Sequence, residues 1–165
     1  GVPSALVHEA IVVLVGSSGT RTISLEDFFT GPGKNVSESD EVVLEIILPP
    51  PPENSSSHYL RFIPRNEMDI AVAAVASSLE LCNGKVSSCR VALAAVGPTP
   101  IFAKEASELL VGKEPPDENI KKVSEKAKDI ASPIADMRGT VEHRKDLIEV
   151  LTRRTISKAL ERAGG

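Results

Sequence analysis

Tryptophan is absent from this sequence, tyrosine occurs once and phenylalanine four times. A surface that stacks nucleic-acid bases needs aromatic faces, and so few rings argue against one. A positive field is missing as well: 19 Lys and Arg stand against 23 Asp and Glu, a net charge of -4. Nothing in that balance would hold a polyanion, so nucleic acid is not an expected partner. Long apolar runs are also lacking. The most apolar stretch, residues 10–15, is far shorter than the roughly 20 residues that span a bilayer, and no basic segment precedes it. The sequence therefore predicts neither a membrane span nor a secretion signal. Cysteine is limited to Cys82 and Cys89, too few for a covalent framework, and a reducing, cytoplasmic compartment is the simplest reading.

What is present is ordinary for a globular chain: 41% apolar and 25% charged residues over 165 positions, enough for one domain or two small ones. The first third reads as a hairpin, with residues 11–15 and 20–23 flanking Gly16-Ser17-Ser18-Gly19. Ser24-Leu25-Glu26-Asp27 resembles a capping box, so residues 25–29 are expected to form one or two helical turns ended by Gly31-Pro32-Gly33. Residues 40–48 (DEVVLEIIL) are dense in β-branched and apolar side chains, and a largely buried strand is expected there. Four consecutive prolines, Pro49 to Pro52, followed by a polar Glu53-Asn54-Ser55-Ser56-Ser57 tail, make the clearest compositional break. A boundary between a first unit, residues 1–52, and a second, residues 57–165, is placed at it.

Beyond the break, residues 58–63 read as a strand. Residues 69–82 suit helix or strand, and Asn83-Gly84 followed by residues 86–96 settles the matter as two long antiparallel strands. A two-residue turn would set Cys82 opposite Lys85 and Cys89 opposite Ser78, so the cysteines do not face each other. A short helix over residues 103–110, a second capped by Asp117 with Ile120, Val123, Ala127 and Ile130 on one side, and a long third from Thr140 complete the chain. The third presents Leu147, Ile148, Leu151, Thr155, Ala159 and Ala163 on one side and is made basic by Arg144, Lys145, Arg153, Arg154, Lys158 and Arg162. The second unit is thus an α+β fold, a small antiparallel sheet covered by helices.

Chemistry-bearing patterns are sparse. The glycine clusters match neither a P-loop nor a dinucleotide fingerprint and read as turns. His8, His58 and His143 are too scattered for a metal site, and no nucleophile elbow is present. Two clusters stand out: Arg61 to Asp69, which packs two arginines and two acids around Pro64, and residues 132–144, which mix Asp136, Arg138, Glu142 and Arg144 at a helix entrance. A solvated loop ion pair explains the first, and capping with an Asp136 pair to Arg138 or Arg144 explains the second.

The same clusters carry a family resemblance. Arg65-x-x-x-Asp69-Ile70-Ala71, Gly97-x-Thr99-Pro100, Leu109-Leu110-x-Gly112, Pro133-x-x-Asp136-x-Arg138-Gly139-x-x-Glu142-x-Arg144 and Arg153-Arg154 occur in this order. Together they resemble the C-terminal domain of the FAD-binding medium subunit of molybdenum hydroxylases, the xanthine and carbon monoxide dehydrogenase family. Upstream, Arg21-Thr22-Ile23-x-Leu25-x-Asp27-Phe28-Phe29-x-Gly31 and Asp40-Glu41-Val42-Val43 resemble the closing segment of that subunit's α/β FAD domain.

The resemblance implies an oxidoreductase subunit that passes electrons from iron-sulfur clusters through FAD to an acceptor. The molybdenum cofactor would sit on a large partner subunit and the iron-sulfur clusters on a small one. It also implies cofactor-binding positions: Val43 as an apolar wall beside the flavin, Arg61 as a cation near the ring, and Arg65 with Asp69 on the adjoining loop. A cation there would stabilise negative charge that builds on the ring during reduction. The glycine-rich loops that grip the FAD pyrophosphate in the family have no counterpart here, so the N-terminal part of the FAD domain is an implied partner. The alternative is a subunit-docking module, built on the sheet and the basic last helix, that does not itself hold FAD.

Overall fold

The computed structural model describes residues 1–65 and 68–164 of the chain. Asn66 and Glu67, inside the Arg61 to Asp69 segment, lie outside the described residues, as does Gly165. The chain opens with a short helix that the sequence reading did not mark, α1 (Val2–Val7), which carries Pro3 in its first turn and buries Pro3, Leu6 and Val7. Proline is tolerated there because the amide it lacks would have no helical partner. Strands β1 (Ile11–Gly16) and β2 (Gly19–Ser24) form the expected hairpin, with Gly16 opposite Gly19.

The capping serine behaves as expected: Ser24 Oγ accepts from the Glu26 N–H at 3.3 Å and starts α2 (Leu25–Phe28). That helix is a single turn. The chain then pairs β3 (Phe29–Gly31) with β4 (Lys34–Asn35) instead of stopping at a loop.

Strand β5 (Val42–Ile47) pairs antiparallel with β1 to complete a three-stranded sheet in the order β2-β1-β5. Here the sequence expectation fails. Every residue of β5 is exposed, because the strand lies at a sheet edge with β1 on one side only. Apolar composition reports what a strand can bury, and among the described residues nothing covers this one.

Strands β6 (Ser55–Phe62), β7 (Ala73–Cys82), β8 (Lys85–Ala94) and β9 (Ile101–Phe102) make a second antiparallel sheet in that order. β6 starts inside the serine tail, earlier than read. At the β7–β8 turn both Asn83 and Gly84 have positive φ, 51° and 76°, the conformation whose twist matches the flanking strands. Cys82 does face Lys85, but a bulge after Glu80 shifts the register so that Cys89 faces Leu79 rather than Ser78. The extra residue, Ser87, is invisible to a count from the turn. Cys89 is buried and Cys82 exposed.

One face of this sheet is covered by α3 (Lys104–Glu108), α4 (Asp117–Ile130) and α5 (Val141–Ala163). Asp117 is the first residue of α4, and Pro116 holds the cap position assigned to it. Thr140 caps α5 as expected, its Oγ1 accepting from the His143 N–H at 3.1 Å. Leu79, Val91, Leu93, Val123, Ile148 and Ile156 fill the space between sheet and helices. The opposite face carries Ala76, Ala92 and Tyr59, which pack against Leu6, Leu14, Leu25 and Phe28. The alanines let the first part of the chain sit close on the sheet.

Arg90 fastens that contact. Its guanidinium donates to the Leu6 carbonyl at 3.1 Å and to the Glu9 carboxylate at 3.3 Å. It also pairs with Glu26 and lies 4.0 Å from the Phe102 ring centroid. A second arginine is more deeply enclosed. Arg144, read from sequence as one of the cations of the last helix and as one of two candidate partners of Asp136, is 5% exposed. It donates to the Val72 carbonyl at 2.8 Å, the Ala95 carbonyl at 3.2 Å and Asp136 at 2.7 Å. Helical spacing could not distinguish an arginine facing water from one whose fork meets the backbone at the ends of two strands.

Candidate functional site

The two clusters singled out in the sequence meet in space. Asp69 Oδ1 accepts from the Ile70 N–H at 2.9 Å, and Oδ2 accepts from the Arg65 N–H at 3.3 Å. The Arg65 Nε stands 3.5 Å from the same carboxylate, and Arg138, from the second cluster, approaches its other oxygen at 4.0 Å. Burial pushes the Asp69 carboxyl upward, but the bonds from Arg65 and Ile70 outweigh it and leave the group below its ordinary value. Two guanidinium groups converging on one carboxylate leave a net positive charge. With Pro64 and Met137 they line an open hollow of about 350 Å³.

The loop bearing Arg138 is held from behind. Asp136 accepts from the Arg138 N–H at 2.8 Å and from Arg144 at 2.7 Å, and its carboxyl is held below the usual range, first by Arg144. Arg144 in turn grips carbonyls next to β7 and β8. Arg138 was noted in sequence as part of an ion-pair cluster and of the motif that carries the resemblance, without a role at the site. The two-residue step from Asp136, which places its amide over the carboxylate, was the available signal.

Arg61 sits near the end of β6 opposite Ala74 and is exposed. Its strand alternates: Leu60 packs toward the helices and Tyr59 toward the first part of the chain. Arg61 therefore projects on the Tyr59 side. Phe62, on the other side, packs edge-on against His143 with ring centroids 5.9 Å apart.

Val43 lies on the exposed strand β5, opposite Leu14 and 45% accessible. With Val2, Val12, Leu25, Phe28 and Ile46 it lines an entirely apolar hollow of about 190 Å³. The structure thus joins Arg65 to Asp69 and adds Arg138, whereas Val43 lines a separate hollow.

A dinucleotide needs both a wall for its ring and a cradle for its phosphates. The apolar hollow and the adjoining bare strand fit the first. Among the described residues the positive-φ glycines Gly19, Gly33 and Gly84 sit in hairpin turns and Gly112 follows a helix, so none of these four opens a helix toward an anion. Among the described residues no group of His, Cys, Asp and Glu could hold a metal ion, and no helix is long and apolar enough to cross a membrane.

Comparison with known proteins identifies the family. Residues 58–159 match the CO dehydrogenase flavoprotein C-terminal domain, and residues 2–51 match the FAD binding domain in molybdopterin dehydrogenase. The chain is 30% identical over 162 residues to the xanthine dehydrogenase FAD-binding subunit of Escherichia coli O157:H7, covering 97% of this chain and 55% of that protein. It is 31% identical over 150 residues to the carbon monoxide dehydrogenase medium chain of Afipia carboxidovorans, covering 91% and 52%. A solved structure, the reconstituted CO dehydrogenase from Oligotropha carboxidovorans, superposes with a TM-score of 0.93 at 29% identity, covering 98% of this chain and 56% of that one. The chain spans about half the length of the curated relatives it matches. With the domain model matched over more than half its length, the chain belongs to the family of FAD-binding medium subunits of the molybdenum hydroxylases, of which it carries the C-terminal portion.

Proposed function

We propose that this chain is the flavin-bordering portion of a cytoplasmic electron-transfer subunit in a molybdenum-dependent oxidoreductase. Residues 1–52 form the end of its FAD-binding domain and residues 57–165 its C-terminal domain. Bound FAD would accept electrons from iron-sulfur clusters on a small partner subunit and pass them to an acceptor, while substrate is oxidised at molybdenum on a large partner. The phosphates would be held by the N-terminal part of the FAD domain.

The observation that carries this reading is the bare edge strand. Val42, Val43, Leu44, Ile46, Ile47 and Leu48 are between 43% and 63% exposed, an apolar strip interrupted by Glu45 alone and of the kind that marks a contact surface. The strip adjoins the apolar hollow that Val43 and Ile46 line. Polypeptide supplying the phosphate loops would cover the strip, and the flavin would meet the wall at Val43. Arg61, Arg65 and Asp69 serve as cation and loop support: a positive side chain near the ring favours its reduced, more negative form.

The test is to express the chain joined to the polypeptide that carries the glycine-rich phosphate loops, then record flavin absorption and potential. Bound flavin is expected, and its absence would count against the reading. In that protein Arg61→Ala is expected to lower the flavin potential or weaken FAD retention. No change in either removes Arg61 from the site.

A further inference from the structure

The cations of the helical layer are not treated alike. Lys104, Lys121, Lys122, Lys126, Lys128 and Lys158 each lie within 4.0 Å of a carboxylate. Arg153 and Arg154, both exposed on the outer side of α5, have no carboxylate within that distance among the described residues, nor have Lys145 and Arg162, and Arg153 shares a wider hollow with Asp117 and Glu118 of α4. They flank Ser157 and, with Lys158 and Glu161, line a shallow hollow of about 280 Å³. Over residues 153–162 the helix carries four cations and one acid.

We infer that this outer face of α5, centred on Arg153 and Arg154, docks an acidic surface of a partner subunit, an assignment that rests on the multi-subunit reading above. Charge complementarity points to that occupant. Two exposed guanidinium groups without an ion pair inside 4.0 Å offer ten N–H donors in rigid forks suited to carboxylates. The net charge of -4 leaves the patch local, suited to short-range docking on a protein and unsuited to following a nucleic acid. Nor does the face resemble a membrane-surface helix, which needs apolar side chains beside its cations. Val150 is the only large apolar side chain exposed on α5.

The experiment uses the FAD-loaded medium subunit with the small and large subunits encoded alongside it, and measures association as a function of salt. Arg153→Glu/Arg154→Glu is expected to weaken binding to one partner at least tenfold and to flatten its salt dependence. Flavin content and thermal midpoint are expected to stay unchanged, since both side chains are exposed. Lys104→Glu/Lys126→Glu makes the same charge change on ion-paired positions of α3 and α4 that line no hollow with Arg153 or Arg154, and is expected to alter binding less than twofold. Equal effects of the two pairs, or none from the arginine pair, would overturn the docking face. So would arginine-dependent binding to phosphatidylglycerol vesicles with partner binding intact. A flavin-loaded subunit that binds neither partner overturns the docking face and leaves the flavin reading standing, whereas loss of both flavin and association overturns both.

Discussion

Removing the buried head of Arg144 tests how the candidate site is held. In Arg144→Met the stem remains to fill its space while the guanidinium is lost. The Val72 and Ala95 carbonyls, bonded at 2.8 and 3.2 Å, then lose their donor at a position where Arg144 itself is 5% exposed. An unsatisfied buried acceptor costs about 1–3 kcal/mol, and since the Val72 carbonyl is buried while Ala95 is exposed and open to water, the predicted loss is about 1–3 kcal/mol. At about 2–4 °C per kcal/mol for a chain of this size, the thermal midpoint falls by roughly 2–12 °C. Urea unfolding followed by circular dichroism measures the loss directly. The same variant frees Asp136 from its main partner, so the Asp136 carboxyl titrates closer to its ordinary value of 3.8, which carbon-detected NMR would follow. A loss under about 1 kcal/mol, with Asp136 unmoved, would refute the idea that Arg144 fixes the Arg138 loop against the ends of β7 and β8.

Other predictions are more local. Glu41 receives Arg21 through two bonds of 2.6 and 2.8 Å, which hold its carboxyl at about 2 against an ordinary 4.5. A depressed folded value means that this pair stabilises the fold above pH 4.5 and that its contribution disappears as pH falls toward about 2. NMR titration is expected to find the low midpoint, and Arg21→Gln to raise it. Burial pushes the Cys89 thiol up to about 12, so a thiol reagent should label Cys82 alone in native protein and both cysteines in urea. Equal native rates would show that the β8 register is wrong. Gly84 has φ +76° and open space where a Cβ would lie, so Gly84→Ala is expected to cost about 1–2 kcal/mol through the backbone alone. Chemical denaturation would show no loss if the turn is not held in that conformation.

The parts of the fold legible in sequence were those written in local chemistry. Asn83-Gly84 specified its turn, Ser24 and Thr140 specified helix starts, and the apolar spacing of Ile120, Val123 and Ala127 gave the buried side of α4. What escaped depends on distant partners. Helix α1 is too short to show periodicity and acquires its stability by packing on Ala76 and Ala92. The bulge at Ser87 has no residue signature. At β5 composition misled in the other direction, because nine residues of strand-forming sequence say nothing about whether a covering layer is at hand. The candidate site divides similarly: Arg65 and Asp69, four residues apart, were readable together, while the approach of Arg138 required the fold to bring a loop 69 positions away alongside.

The Arg90 clasp bears on how this protein can be taken apart. Four prolines invite a cut, and the two matched family segments meet close to them. Yet Arg90 reaches from β8 to Leu6, Glu9 and Glu26, across a seam lined by Ala76, Ala92 and Tyr59. A piece begun after the prolines would present a row of small side chains to solvent and strand a half-enclosed guanidinium. The unit that evolution copies and the unit that stands alone in water need not coincide in this molecule, and shuffling the later segment onto a foreign flavoprotein would call for carrying the opening helix with it.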